Sequence, residues 1–271
     1  MNTLWYGFHE HTLRDGVRRK TALMNMAARL KDPAAIKLTP TAYMKDRRNR
    51  SESGITDKTL NNELTYIRAV YNELYALDQV KYENPLAKVK PLKLQQIELS
   101  WLTQDQIQEL LDVIRSRSAG ANPHLELIVL VCLATGARWS EAENLKPSSV
   151  RNRAVTFSNT KNGKVRTVPI SQEMEQRLLQ HWKTYGPFTS SIGAFRRALE
   201  KTTIELPKGQ AAHVLRHTFA SHFMMNGGNI LTLQKILGHS AVTVTMRYAH
   251  LSQDHLTEAC RLGPSLVQYF A

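Results

Sequence analysis

The stretch LELIVLVCLATGA, residues 125–137, most constrains the fold of this chain. It is too short to cross a bilayer, which takes about 20 apolar residues. Its side chains must therefore be covered by the rest of the chain, and the run suits a helix buried among others. Sequence on both sides supplies the cover. In SWLTQDQIQELLDVI, Thr103 followed three residues later by Gln106 forms a capping box, and Ile107, Leu110, Leu111 and Ile114 share one helix face. Further helices are expected at about 171–184, 190–203, 213–226 and 229–237, with Gly227-Gly228 and Gly238 as C-terminal stops.

A different pattern interrupts them. In AVTFSNTKNGKVRTVPI two β-branched runs flank Asn162-Gly163, a strong hairpin signal that sets Lys161 opposite Lys164. Ahead of all this, residues 4–94 read as helical. Leu60, Leu64, Ile67, Val70, Tyr71, Leu74 and Leu77 follow steps of three and four, and Val17, Leu23, Met24, Ala27 and Leu30 form a second face. DRRNRSESG, residues 46–54, reads as a polar loop, and NPLAKVKPLKLQQ, residues 84–96, as a linker. The expectation is a mainly α chain with a small β-sheet, divided into residues 1–97 and 98–271.

Charge narrows the class of partner. Lys and Arg number 36 against 23 Asp and Glu, a net charge of +13. The excess is not a tail: residues 1–97 carry 17 basic and 10 acidic side chains, and residues 98–271 carry 19 and 13. Both parts would face a polyanion such as nucleic acid. Cys132 and Cys260 lack metal-ligand partners at short spacing and read as reduced thiols. The start MNTLWYGFHEH has no signal pattern, so a cytoplasmic location is expected.

Several residues of the second part can carry chemistry. Arg138 follows the apolar run and can pair with Glu141 or clamp a phosphate. Lys161 and Lys164 repel unless solvated or set on a phosphate. His213 and Arg216 share a helix face. His213 and His217 have a zinc-binding spacing but lack an acidic partner, and Arg216 opposes a cation, so no metal is expected. In LGHSAVTVTMRYAH, Ser240 can cap a short helix with His239 at its N-terminal end, or Val242 to Tyr248 can form a strand. Tyr248 is then either core or nucleophile. Together, two Arg, a Lys, two His and a Tyr make a set able to run phosphoryl transfer without a metal.

Those residues, in the motifs TGARWSEAENL, TKNGKVRTVPI, HVLRHTFASHF and LGHSAVTVTMRYAH, resemble the tyrosine recombinase (phage integrase) family, and most closely integrases of temperate phages of Gram-negative bacteria. TLNNELTYIRAVYNELYALDQVKYENPLAKVK resembles the family's core-binding domain. The resemblance implies a helical core-binding domain over residues 1–97 and a mixed α+β catalytic domain over 98–271, forming a C-shaped clamp on double-stranded DNA. It implies strand cleavage through a 3′-phosphotyrosyl bond, with no cofactor and no ATP. Tyr248 would be the nucleophile. Arg138, Arg216 and His239 would hold the phosphate, Lys161 would be the general acid, and His213 the general base. Glu141 and His217 would support the site. Arg18, Arg19, Lys20, Arg47, Arg48, Arg68, Lys88, Lys90, Lys93, Lys164 and Arg166 are candidates for DNA contact.

The resemblance further implies a tetramer on DNA, with the apolar tail around Leu266, Val267, Tyr269 and Phe270 exchanged between subunits. A host DNA-bending protein and an excisionase are implied as partners. Integrases of this kind usually carry an arm-site-binding domain ahead of the core-binding domain, whereas this sequence starts at the first core-binding helix. The resemblance therefore extends to strand cleavage but not to arm-site binding or directional integration. Two other readings share parts of this pattern: a type IB topoisomerase that relaxes DNA, and a DNA-binding regulator that keeps the fold without cutting.

Overall fold

The computed structural model describes residues 1–13, 15–94, 99–116, 122–158, 165–207 and 209–252. The chain divides into two compact units, Met1–Ile97 and Glu98–Ala271, each with its own core.

The first unit holds helices α1 (Asn2–His9), α2 (Gly16–Arg29), α3 (Pro40–Glu52) and α4 (Asp57–Ala76). Leu64, Ile67, Val70, Tyr71 and Leu74 of α4 pack against Trp5, Leu23, Met26 and Tyr43. The expected face of α4 holds except at its end, where Leu77 is the half-exposed C-cap. On α2 the buried stripe is Leu23 and Met26, while Val17 and Met24 face water.

Two polar segments depart from expectation. Residues 46–52 are not a loop but the second half of α3, capped by Thr39, whose side chain accepts from the Ala42 N–H, and opened by Pro40 at its first turn. Its charged side chains are satisfied laterally. Arg48 pairs with Glu52 at 2.9 Å, and Arg50 reaches Glu63 of α4. Residues 84–92 are not a free linker either. Leu86 and Val89 are buried in the first core. Arg68 donates to the carbonyls of Leu86, Ala87 and Val89, Arg47 donates to that of Lys90 at 2.9 Å, and the Asn61 side chain brackets both backbone groups of Leu92.

The second unit is built around the apolar run. Helix α6 (Leu125–Thr135) buries Leu127, Ile128, Val129, Val131 and Cys132. It is flanked by α5 (Gln104–Arg115), which carries the expected capping box, with Thr103 accepting from the Gln106 N–H and the Gln106 side chain accepting from the Thr103 N–H. A five-residue helix α7 (Trp139–Glu143) follows. The sheet has three strands, β1 (Val150–Arg151), β2 (Ala154–Phe157) and β3 (Arg166–Pro169), antiparallel in that order. A two-residue turn at Asn162-Gly163 would set Phe157 opposite Val168. The ladder sets it opposite Arg166, and Asn162-Gly163 itself lies outside the described residues. Lys161 and Lys164 themselves lie outside the described residues, as do Cys260 and the apolar tail.

Helices α8 (Gln172–Tyr185), α9 (Ile192–Leu199), α10 (Val214–Met225) and α11 (Ile230–Leu237) fall where the apolar spacing put them. The chain then forms α12 (Val242–Thr245) and a 3-10 turn, Met246–Leu251, that carries Tyr248. Ser240 does not cap this helix: its N-cap is Ala241, which makes no side-chain cap bond. Among the described residues no helix is long and apolar enough to cross a membrane.

Candidate active site

Helix α6 ends at Gly136, whose φ of +63° is in the left-handed region. A Cβ there would come within 2.6 Å of the Phe219 ring and 2.7 Å of Leu237, so both conformation and space call for glycine. The turn delivers Arg138 to the N-cap of α7. Glu141, in the first turn of that helix, accepts from the Arg138 backbone N–H at 2.9 Å and from its guanidinium at 2.8 Å. The local ion pair legible in the sequence therefore forms. It does not use up Arg138, whose side chain remains 23% exposed.

Glu141 has a second cation. Arg166 of β3 donates two bonds to its carboxylate, at 3.2 and 2.6 Å, and a third to the Ile236 carbonyl at 2.7 Å. Its guanidinium lies over the Phe157 ring, and its side chain passes beneath Gly238, where a Cβ would stand 3.1 Å from Arg166 Cδ. Burial alone would raise the Glu141 carboxyl. The hydrogen bonds from Arg166 and the Arg138 backbone, together with the Arg166 charge, outweigh that and hold it at about 2.

Arg216, on α10, is 5% exposed. Its fork donates to the Gly136 carbonyl at 2.8 Å and the Leu237 carbonyl at 2.6 Å, pinning the ends of α6 and α11 together. Burial, then the charges of Arg138 and Arg166, push it down to about 9, still cationic at neutral pH. His239 follows the C-terminal glycine of α11 rather than opening a helix. Its Nδ1 lies 2.9 Å from the Thr245 hydroxyl. Burial and the surrounding Arg216, Arg138 and Arg166 depress it to about 4, so it is neutral at pH 7. A depression of about 550 Å³ opens beside it, lined by Arg166, Thr232, Gln234, Lys235, His239 and Ser240.

Tyr248 is 3% exposed and packs among Ala220, Met224, Leu233 and Leu237. Its hydroxyl is 2.6 Å from His217 Nδ1. The ring is therefore core, and the hydroxyl meets a histidine of α10. His217, expected only to support the site, is the histidine in contact with it. His213 stands one turn earlier at the N-cap of α10, its ring 6.2 Å from that of His217. Three guanidinium groups thus surround one carboxylate, with two neutral imidazoles and a phenol beside them. Such a set binds a phosphate-sized anion and presents an oxygen nucleophile to it. Among the described residues no group of three His, Cys, Asp or Glu side chains is placed to hold a metal ion.

Known proteins resemble this chain in sequence and fold. The description "Phage integrase family" matches residues 100–255, and "Phage integrase, N-terminal domain" matches residues 1–93. The integrase of Escherichia phage 186 is 46% identical over 96% of this chain and 79% of its own length. The chain belongs to the phage integrase family. It is a tyrosine-type site-specific DNA recombinase. The solved catalytic domain of the bacteriophage HP1 integrase is 50% identical, covering 62% of this chain and 96% of that one, with a TM-score of 0.56. The Tn1549 transposon integrase, solved with transposon right end DNA, shares the fold over 96% of both chains at 20% identity and a TM-score of 0.75.

The surface candidates of this integrase divide. Arg18, Arg48, Lys88, Lys90 and Lys93 are exposed. Arg19 pairs with Asp15 at 3.0 Å, and Lys20 stands over the Tyr6 ring. The guanidinium groups of Arg47, Arg68 and Arg166 bond backbone carbonyls or Glu141 within the fold. Sequence spacing gives no sign of this, because their acceptors are remote in the chain. The His217 contact was equally hidden. Only the presence of a second histidine on the α10 face, four residues from His213, pointed toward it.

Proposed function

We propose that this recombinase cleaves DNA by attack of Tyr248 on a scissile phosphodiester held by Arg138, Arg216 and His239. The observation that carries this is the convergence of those three side chains and the Tyr248 hydroxyl around one uncompensated cationic site. The Tyr248 oxygen bonds to phosphorus, the 5′-oxygen leaves, and a 3′-phosphotyrosyl link conserves the bond energy for rejoining. Lys161, by family resemblance, protonates the leaving oxygen. Glu141 holds Arg138 in place. Residues 1–97 act as the core-binding domain and 98–271 as the catalytic domain, together closing on double-stranded DNA as a clamp.

The working species is a tetramer on DNA, with C-terminal segments exchanged between subunits, in the bacterial cytoplasm. A host DNA-bending protein and an excisionase set the direction of the reaction. A relaxing topoisomerase and a non-cleaving regulator are not favoured, since the chain matches the integrase family through both units and every residue of the cleavage set is present. Tyr248→Phe should bind DNA with unchanged affinity and form no covalent adduct on nicked suicide duplexes cut from the DNA flanking its gene. Normal adduct formation by that variant would remove Tyr248 from the mechanism.

A further inference from the structure

Tyr248 cannot attack as a phenol without losing its proton, and burial raises the phenol above its ordinary range, more than Arg216 and Arg247 lower it. The proton is therefore still on the oxygen when attack begins, and a base must stand within hydrogen-bond reach. The group there is His217, at 2.6 Å through Nδ1. A bond donated by the phenol to Nδ1 places the imidazole hydrogen on Nε2. Helix α10 fixes the pair. Ala220 and Met224, further along the same helix, pack with Tyr248 in one apolar cluster, so the ring is held by contacts and the hydroxyl is aimed at His217. Arg216, the preceding residue, is pinned to two backbone carbonyls and cannot swing into that position.

We propose that His217 accepts the Tyr248 proton as the strand is cut and returns it when the strand is rejoined. The inference rests on Tyr248 being the nucleophile. In cleavage the Tyr248 O–H bond breaks and its proton moves to Nδ1 of His217. The oxygen forms the bond to phosphorus, and the bond from phosphorus to the 5′-oxygen breaks, with the electron pair leaving on that oxygen. In rejoining the imidazolium protonates the departing phenolate.

The groups facing His217 make this dependent on DNA. His213 and Arg216 on α10, Arg247 and Tyr248 on the 3-10 turn, and His239 on the preceding loop surround it. Burial, then His213, Arg247 and Arg216, depress His217 to about 4. It is neutral and able to accept at working pH, but a weak base while the site is free of an anion. A phosphodiester among the arginines offsets their charge and raises the basicity of the imidazole. The base is strengthened by the arrival of its substrate.

The test is single-turnover cleavage of the same nicked duplexes by wild type, His217→Ala, His217→Gln, His213→Gln and Tyr248→Phe. His217→Ala should cleave about 10²–10⁴-fold more slowly at unchanged DNA affinity, and added imidazole should restore activity. His217→Gln keeps a hydrogen-bonding side chain and should remain slow. The rise of the wild-type rate with pH should disappear in both His217 variants and persist in His213→Gln. Wild-type cleavage by folded His217→Gln would overturn the assignment, as would a retained pH dependence in His217→Ala. Absence of any adduct from wild type on these duplexes would instead overturn the nucleophile reading itself, which separates the two failures.

Discussion

Both units bury arginines, and they use them differently. In the first unit Arg29 and Arg50 share Glu63, and Arg29 also holds Asp46, giving two cations and two carboxylates. Arg47 and Arg68 tie down the backbone of residues 86–90. In the second unit Arg138, Arg166 and Arg216 gather around the single carboxylate of Glu141. A buried guanidinium is therefore not in itself a mark of an anion site. The mark is an excess of arginines over carboxylates, whose charges add to burial in depressing His239 and Arg216.

Breaking this contrast at its sharpest point means removing a cation from the excess. Arg138→Ala should lower the single-turnover cleavage rate about 10²–10³-fold, the usual cost of one donor to a developing charge, with a smaller change in melting temperature. An unaltered rate would place the phosphate elsewhere. Glu141→Gln removes the only carboxylate among the described residues that holds Arg138 and Arg166. It should destabilise the second unit by about 3–5 kcal/mol, as breaking a buried ion pair does, measured by urea unfolding. Arg47→Ala should cost about 1–3 kcal/mol through the unpaired Lys90 carbonyl. It should leave covalent adduct formation per folded molecule unchanged, and a loss of adduct there would erase the distinction between the units.

Acid provides a gentler probe. His217 and His239 have folded values of about 4 against an ordinary 6.5, so the folded state takes up their protons less readily than the unfolded one. Their contribution to stability is complete above about pH 6.5 and is lost as pH falls toward 4. Melting temperature of the second unit should drop across that window. Inorganic phosphate should restore part of it, because an anion beside His239 favours its charged form. Equal restoration by chloride at matched ionic strength would show screening alone.

What was legible in the sequence is what short-range chemistry dictates. The capping box at Thr103 and Gln106, the apolar face of α4, the Arg138–Glu141 pair and the glycine stop at Gly238 all act within one or two turns of chain. The misreadings share an opposite cause. Residues 46–52 continue a helix opened at Thr39 and Pro40, and Arg50 within them is met by Glu63 from another helix. Residues 84–92 are packed because Arg47, Asn61 and Arg68 reach across to their carbonyls. The ladder pairs Phe157 with Arg166, and Arg166 at its edge bonds Ile236 and Glu141, far away in sequence. For the site, the motif positions gave the residues but not their contacts. His217 reaches the Tyr248 hydroxyl because the 3-10 turn sets Tyr248 against α10.

The carbonyls that hold Arg216 sit at the C-terminal ends of α6 and α11, where aligned peptide dipoles concentrate partial negative charge. The partial negative charge of these two helix ends thereby faces the buried Arg216 guanidinium. Readiness at this site is a property of two helix ends, kept in place by a glycine that leaves no room for anything else.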